Sequence, residues 1–418
     1  MRILKKIYKI DIYLYHFYDI NKMDTIKQLC DKLNEENLDG VKNLLTKESL
    51  SVRNTFALGA KYSPPSHQEL AKKIIQATQL KNLSGKRIVS WNINSLRAGI
   101  VDQETAKCKT KRVIQPSSPM GELVKDIDPD IICLQETKLQ QEHEKCFDIS
   151  GYYTYWNSST AQKGYSGVSI WSKEKPLSVD TTLEKIPEVL QREGRILTAY
   201  YENFVVVNIY TPNTLRAGEK PLSGWDAVKD PEKRKLRKMN YELYMFNRKV
   251  WDNAILEHLK NLKEKYTNVI LCGDLNVARN FQDIHTGLMA EHKLEVAQEQ
   301  KKDPMRIDEL QKRIKAARQA TKLGGGAGYR LEERENLELL VSHDFVDVFR
   351  DLYPNDYGFT YWDMTKFAYR QANNGWRIDY FIVSGNIISY IRDIKILKDL
   401  GIQGKKVPSD HAPIILYF

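Results

Sequence analysis

A chain of 418 residues with 42% hydrophobic side chains can build a sizeable core. Nowhere does it approach the run of about 18 apolar residues that a membrane span needs. Its five cysteines, an odd number without a Cys-x-x-Cys pair, exclude a disulfide framework and a thiolate zinc site and fit a reducing intracellular compartment. A formal net charge of +10 suits a polyanionic partner and disfavours small soluble phosphate esters as the only substrate.

In chain order, residues 1–85 read as a basic, helical N-terminal extension. The first 22 residues are rich in Lys, Ile and Tyr but lack the apolar core of a signal peptide, and Asp11 and Asp19 suit an organelle presequence poorly. Met23 offers an alternative start. Ile26, Leu29, Leu33, Leu38, Val41 and Leu44 follow helical spacing, and Ser66 after Pro64-Pro65 caps a second helix running to Leu80. The extension docks on the main body, acts as a basic arm, or carries no function of its own.

From residue 86 onward, short apolar runs end in polar groups. Arg87–Asn94 ends in Asn92 and Asn94, and Asp130–Glu136 ends in a glutamate. Tyr165–Trp171 and Ile196–Tyr200 follow, then Phe204–Asn213, which ends in Tyr210 and Asn213. Amphipathic spacing predicts a helix over Leu243–Leu262. Asn268-Val-Ile-Leu-Cys-Gly-Asp-Leu-Asn276 is a buried strand closing in Gly-Asp-x-Asn. Cys133 and Cys272 lie inside such runs as small core residues.

Residues 286–326 form an insertion. Ile307, Leu310, Ile314 and Ala317 mark one helical face; Arg306, Lys312, Arg313, Lys315, Arg318 and Lys322 crowd the rest, and Gly324-Gly-Gly326 ends it as a hinge. That face is either simply solvated or an arm gripping phosphates. A helix over Leu331–Leu340, the strand Arg377–Val383 with Asp379 near its start, Ser409-Asp-His411 and a final run Pro413–Phe418 complete the chain. Strands and helices interspersed in this way, with few strict βαβ units, predict two packed mixed sheets flanked by helices in an α/β fold. No internal repeat is visible.

Carboxylates, amides and an imidazole at the rims of several buried strands are what a hydrolytic metal site needs. Hard oxygen ligands hold Mg²⁺, amides and a phenol hold a phosphate, and a carboxylate and a histidine handle protons.

The chain resembles the exonuclease III class of AP endonucleases, within the endonuclease/exonuclease/phosphatase superfamily. The resemblance rests on Trp91-Asn-Ile-Asn-Ser-Leu-Arg-Ala98, Leu134-Gln-Glu-Thr-Lys138, Gly164-Tyr-Ser-Gly-Val168, Glu193-Gly-Arg195, Tyr210-Thr-Pro-Asn213, Gly273-Asp-Leu-Asn-Val-Ala278, Gly375-Trp-Arg-Ile-Asp-Tyr380 and Ser409-Asp-His411. It implies a four-layer α/β sandwich over residues 86–418 and a catalytic monomer that cuts duplex DNA 5′ of abasic sites. The cofactor it implies is Mg²⁺, with Mn²⁺ able to substitute. Activity on blocked 3′ ends and 3′→5′ exonuclease activity would accompany the cut, in a DNA-containing intracellular compartment.

The resemblance also implies roles. Glu136 is the leading metal ligand, with Asn94 and Asp410 completing or supporting that shell; many relatives carry aspartate at the position of Asn94. Asp274 activates water and Asn276 fixes its position. His411 meets the scissile phosphate while Asp379 accepts its other N–H, Tyr210 and Asn213 donate to phosphate oxygens, and Asn92 supports the network. Tyr361, Trp376 and Ile378 line the pocket for a sugar that has lost its base. Arg97, Lys138, Tyr165, Arg216, Arg370 and Arg377 are expected at DNA, and Met364 or Phe367 is the candidate wedge. The competing readings are a nicking endonuclease of a mobile element, a phosphoinositide or sphingolipid phosphodiesterase, and a catalytically silent DNA-binding protein. The absence of a reverse-transcriptase region and the Gly375-Trp-Arg377 element favour repair, and the intact catalytic set disfavours a silent protein.

Overall fold

The structure, a computed structural model, describes residues 83–418 apart from 98–99, 102–111, 115, 149, 215–230, 286–303, 306, 310, 313–327, 364–369 and 402–406. The segments predicted as N-terminal helices, most of the basic insertion, Arg216, Met364 and Phe367 therefore lie outside the described residues.

Strands come first as β1 (Arg87–Asn92) and the short β2 (Arg112–Val113), and helix α1 (Pro119–Ile127) leads into β3 (Ile131–Gln135). Next are β4 (Phe147–Asp148), β5 (Tyr153–Asn157), β6 (Val168–Ser172), β7 (Ser178–Asp180), the single turn α2 (Glu188–Gln191), β8 (Ile196–Tyr200) and β9 (Val205–Tyr210). The long helix α3 (Pro231–Lys265) precedes β10 (Val269–Asp274), α4 (Leu331–Ser342), β11 (Phe345–Asp347) and α5 (Val348–Leu352). The chain closes through β12 (Asp379–Ser384), β13 (Asp393–Ile396) and β14 (Ile414–Tyr417).

These strands make two six-stranded sheets, ordered β13-β14-β1-β3-β6-β5 and β11-β12-β10-β9-β8-β7. In each, one central pair is parallel (β1 with β3, β9 with β10) and every other pairing is antiparallel. The two sheets thus share a pairing pattern although no sequence repeat betrays it.

Their inner faces pack on each other, and helices cover both outer faces. Trp251, Ile255, Leu259 and Leu262 of α3 and Leu337 and Leu340 of α4 bury Val205, Val207, Leu271 and Ile382 of the second sheet. Met120 and Leu123 of α1 do the same for Val89, Trp91, Ile132 and Trp171 of the first. The four-layer sandwich follows, and it explains why every residue of β1, β3, β6, β10 and β12 except Arg87 is buried: strands covered on both faces have no solvent-facing side.

Two amide side chains bond across the space between the sheets. Gln135 Nε2 donates to Asn208 Oδ1 at 2.7 Å, and Asn208 Nδ2 reaches the carbonyls of Leu134 and Ser169. Unpaired, each would cost a few kcal/mol in this dry layer; paired, they fix how one sheet sits on the other.

Two elements depart from their sequence-based limits. Helix α3 begins at Pro231, twelve residues before the predicted start; Met239 in the added stretch is exposed and marks no buried face there. Strand β6 begins at Val168 rather than Tyr165. Tyr165, Ser166 and Gly167 instead wrap the turn after β3, where Thr137 and Lys138 donate their N–H groups to the carbonyls of Gly167 and Ser166. Among the described residues no helix is long and apolar enough to cross a membrane.

Candidate active site

The parallel pairs place their C-terminal ends at the same rim, where polar side chains meet. In the register of the second sheet, Asp274 lies opposite Tyr210 on one side and Asp379 on the other. From the first sheet, Asn92 pairs with Gln135 one residue before Glu136. The carboxyl ends of parallel strands are a recurrent position for ligand sites in α/β sheets.

Asn92 ties the two sheets together. It is fully buried, and its Nδ2 donates to Glu136 Oε1 at 3.0 Å and to Asp274 Oδ2 at 2.9 Å. Its Oδ1 accepts the N–H of Asn94 at 3.1 Å. One amide therefore bridges two carboxylates that would otherwise repel across the rim.

Asp274 accepts at both oxygens, from Asn92 and from the backbone N–H of Asn276 at 2.8 Å. Burial pushes its carboxyl up to about 7; His411 opposes the rise and Asp379 adds to it. His411 stands between the two aspartates, with Nδ1 2.8 Å from Asp379 Oδ2 and Nε2 3.8 Å from Asp274 Oδ2. Burial disfavours its charged form, but Asp379 first and then Asp274 and Asp410 outweigh that and bring it to about 10. The Asp379 bond fixes Nδ1 as a donor and turns Nε2 towards the open rim.

Glu136 sits just past β3. Burial opposes its ionisation, but Lys138, Asn92 and His411 together hold the carboxyl below the usual range. Lys138 Nζ lies 2.7 Å from Glu136 Oε2 and 2.5 Å from Asn94 Oδ1, so it joins those two side chains. Asp410 is half-buried beside His411, with Oδ1 3.4 Å from Ser409 Oγ. Tyr210 is held protonated, since burial and then Glu136 drive its pKa far upward despite the Arg195 guanidinium 4.6 Å from its ring. Asn213 is exposed at the rim.

The backbone here is bent into an unusual conformation. Asn94, Ser95, Glu136, Lys138, Ser166 and Asn276 all adopt positive φ, which costs non-glycine residues about 1–3 kcal/mol each, least for asparagine. A lattice of main-chain bonds supports it: Ser95 N–H to Glu136 O, Leu96 N–H to Thr137 O, and Thr137 N–H to Gly167 O. Gly167 is required, because at φ +88° an added Cβ would lie 2.5 Å from Thr137 Oγ1.

Beside His411 lies an apolar patch. The Tyr361 ring is 4.9 Å from the imidazole, and Tyr361, Trp376 and Ile378 cluster with Ala278, Phe281, Ile284 and Tyr329. The last four escaped the sequence reading. Phe281, Ile284 and Tyr329 belong to irregular segments with no periodicity, and only Ala278 lay within a recognised motif.

The ligand atoms of Asp274, Asp379 and His411 all lie within 4.8 Å of one another, close enough for the three to hold a metal ion. Asp379 Oδ1 is buried with no hydrogen-bond partner, an acceptor that a cation would satisfy. The neighbouring carboxylate and amide oxygens are hard donors without a thiolate, a set that fits Mg²⁺ or Mn²⁺.

A family model described as the endonuclease/exonuclease/phosphatase family matches residues 89–411. The chain belongs to this family. It is 32% identical over 330 residues to an exodeoxyribonuclease of Bacillus subtilis, covering 79% of this chain and 98% of that protein. To the DNA repair nuclease APEX1 of Danio rerio it is 30% identical over 394 residues, 92% of this chain and 97% of that protein. Among solved structures, an AP endonuclease from Archaeoglobus fulgidus superposes with a TM-score of 0.53 at 21% identity, covering 80% of this chain and 99% of that one. That likeness is one of fold, and the family's two-sheet architecture is the one seen here.

Three residues expected at DNA have other work within this family fold. Arg377 is 1% exposed, its guanidinium closed between Asp283 and Asp347 by four hydrogen bonds of 2.8–3.0 Å. No donor edge is left for a phosphate. Arg370 donates to the carbonyls of Ser409 and Lys398 and stacks 4.6 Å from Trp362, bracing the loop before His411. Lys138 is internal to the site, as above. Tyr165 accepts from Arg195 at 2.7 Å with its ring half-buried, while Arg97 is exposed after β1 and open to a phosphate.

Proposed function

We propose that the chain is a Mg²⁺-dependent AP endonuclease that hydrolyses the phosphodiester 5′ of an abasic site in duplex DNA. The observation that carries this reading is a single rim: Asn92, Glu136, Asp274 and the Asp379–His411 pair meet directly beside the apolar cluster of Tyr361, Trp376 and Ile378. Related proteins named as a DNA repair nuclease and an exodeoxyribonuclease support the substrate, as does the +10 charge.

In-line cleavage needs an activated water, charge stabilisation on the phosphoryl oxygens and help for the departing oxygen. Asp274, oriented by Asn276 N–H and Asn92, takes the water's proton. His411, locked by Asp379, presents Nε2 to a phosphoryl oxygen, and the protonated Tyr210 phenol with Asn213 donates to others. Glu136, Asn94 and Asp410 would hold the ion on this reading, which leaves the closely grouped Asp274, Asp379 and His411 to the water and the phosphate, and Lys138 already neutralises part of the Glu136 charge. Bound Mg²⁺, or Mn²⁺ in its place, supplies positive charge beside the scissile phosphate.

A flipped-out sugar without a base fits against Tyr361, Trp376 and Ile378, whereas an intact base clashes there. Trimming of blocked 3′ ends and 3′→5′ exonuclease activity use the same groups. The set is built from one copy, so a monomer suffices for the reaction, acting where the cell keeps its DNA.

The test is cleavage of matched duplexes carrying an abasic analogue, an intact base or a blocked 3′ end, with and without chelator. Cutting at the abasic analogue alone among internal sites, abolished by chelation and restored by Mg²⁺, is the expected result. Equal cutting of intact duplex, or full activity in chelator, would overturn the reading.

A further inference from the structure

Arg248, midway along α3, is 2% exposed and belongs to none of the motifs that mark the site. Its guanidinium reaches backbone rather than substrate. Nη1 donates to the carbonyls of Pro212 and Asn276 at 3.3 Å each, and Nη2 donates to Leu275 O at 2.9 Å. Nε contacts both oxygens of Asp252, one helical turn further along, at 2.9 Å. Asp252 is itself held by Asn336 Nδ2 of α4 at 2.9 Å, and Glu333 of α4 lies 3.6 Å from Nη1.

Those carbonyls belong to the two loops that continue β9 and β10 beyond the site. Pro212 lies between Tyr210 and Asn213, and Leu275 and Asn276 directly follow Asp274. The loops are also bonded to each other, through Thr211 N–H to Asp274 O at 2.9 Å and Asn276 Nδ2 to Thr211 O at 2.9 Å. Asn276 has φ 48°, so the chain reverses there and directs its carbonyl inward to α3. A left-handed turn with inward carbonyls persists only where donors meet them. Arg248 supplies these donors as a rigid planar fork; an ammonium on a flexible stem has no such shape.

We propose that Arg248 is a positioning residue for the hydrolytic reaction. By holding the Pro212, Leu275 and Asn276 carbonyls on one guanidinium, it fixes the turn that follows Asp274 relative to the segment that follows Tyr210 and bears Asn213, with α3 and α4 as the rigid backing. The inference rests on the endonuclease reading, and it assigns to the helical layer a part in placing the catalytic groups. Misplacing a catalytic group by about 1 Å costs on the order of 10²-fold in rate, so the effect belongs in turnover rather than in binding.

The test uses full-length Arg248→Met, Arg248→Lys and Asp252→Asn proteins. Four quantities are read: the single-turnover cleavage rate, the dissociation constant for abasic duplex in chelator, the thermal midpoint, and amide hydrogen exchange in the free protein. Arg248→Met should slow cleavage by at least about 30-fold while duplex affinity stays within about threefold. Arg248→Lys should fall between Met and the parent, and Asp252→Asn should shift in the same direction by less. Exchange at Thr211 and Asn276 should quicken by about tenfold or more while Ile170, in the other sheet, is unchanged.

An unchanged rate with unchanged exchange at both loops overturns the proposal. So does a rate that falls only in proportion to the folded fraction, with exchange rising equally in both sheets. Should Arg248→Met fail to fold, Arg248→Lys and Asp252→Asn decide by the same two criteria. Should the parent not cut abasic duplex, the endonuclease reading fails by itself, and the exchange difference between the loops and Ile170 still decides whether Arg248 holds them.

Discussion

At the scale of single residues, the site is organised around shared protons and shared charge. Asn92 contributes both amide hydrogens to carboxylates of different strands, and His411 is fixed by one aspartate and faces another. On the proposed reading these groups act on the reacting phosphate rather than on the grip of DNA. Asp274→Ala and His411→Ala are each expected to lower turnover by at least about 10²-fold, the scale of acid–base and electrostatic groups, while leaving duplex affinity near the parent's. Gel-shift titrations in chelator paired with single-turnover rates check this, and a rate near the parent's for either variant would remove that residue from the reaction. The sequence made these residues visible because each sits at the end of an apolar run. It could not show that Lys138 joins Glu136 to Asn94, since the fold, not the spacing, folds that side chain back into the site.

At the scale of elements, the segment before β12 is held by a buried ion cluster. Arg377 is closed between Asp283 and Asp347, and Arg350 also bonds Asp283. Burial raises the Asp283 pKa, but Arg377, then Arg350 and the Asn280 N–H, outweigh it and hold it below its ordinary value. A carboxyl with a depressed folded-state pKa stabilises the fold above its unfolded pKa of about 3.9, and that contribution is lost as pH falls through the lower folded value. Asp283→Asn should therefore be less stable than the parent at pH 7 by on the order of 3 kcal/mol, the scale for breaking one side of a buried pair. The gap should close in acid as the parent's own carboxyl protonates. Urea unfolding from pH 7 downwards measures it; a gap that stays constant across that range would show that Asp283 does not titrate with folding. Arg377 looked like a DNA contact because an arginine inside a site motif carries no mark of burial. Its aspartate partners are 94 and 30 residues away in sequence, and only the fold brings them to it.

At the scale of the whole molecule, the +10 charge and the insertion bear on DNA binding. If the insertion grips phosphates, replacing Arg306, Lys312, Arg313, Lys315, Arg318 and Lys322 by Ala should weaken binding of abasic and intact duplexes equally. It should also flatten the salt dependence, because phosphate contacts carry no sequence information. Unchanged affinity and unchanged salt slope would make that face a solvated one. Dissociation constants across a salt series for both duplexes measure the two quantities.

The sequence by itself determined much about this protein. Short apolar runs predicted buried strands, helical spacing located α4 and the second half of α3, and the ordered motifs of Asn92, Glu136, Tyr210, Asp274, Asp379 and His411 led to the family. These features are local, since a strand end and the polar group it carries are adjacent in the chain. What only the tertiary structure decided is non-local. It includes the matching pairing pattern of the two sheets, the Gln135–Asn208 link between them and the aromatic patch completed by Ile284 and Tyr329. It also includes the burial of Arg377 and the reach of Arg248 from a helix to three carbonyls on two loops. A side chain's type fixes what it can bond, but its partner depends on which strands pack against each other, and that is settled only when both sheets are in place.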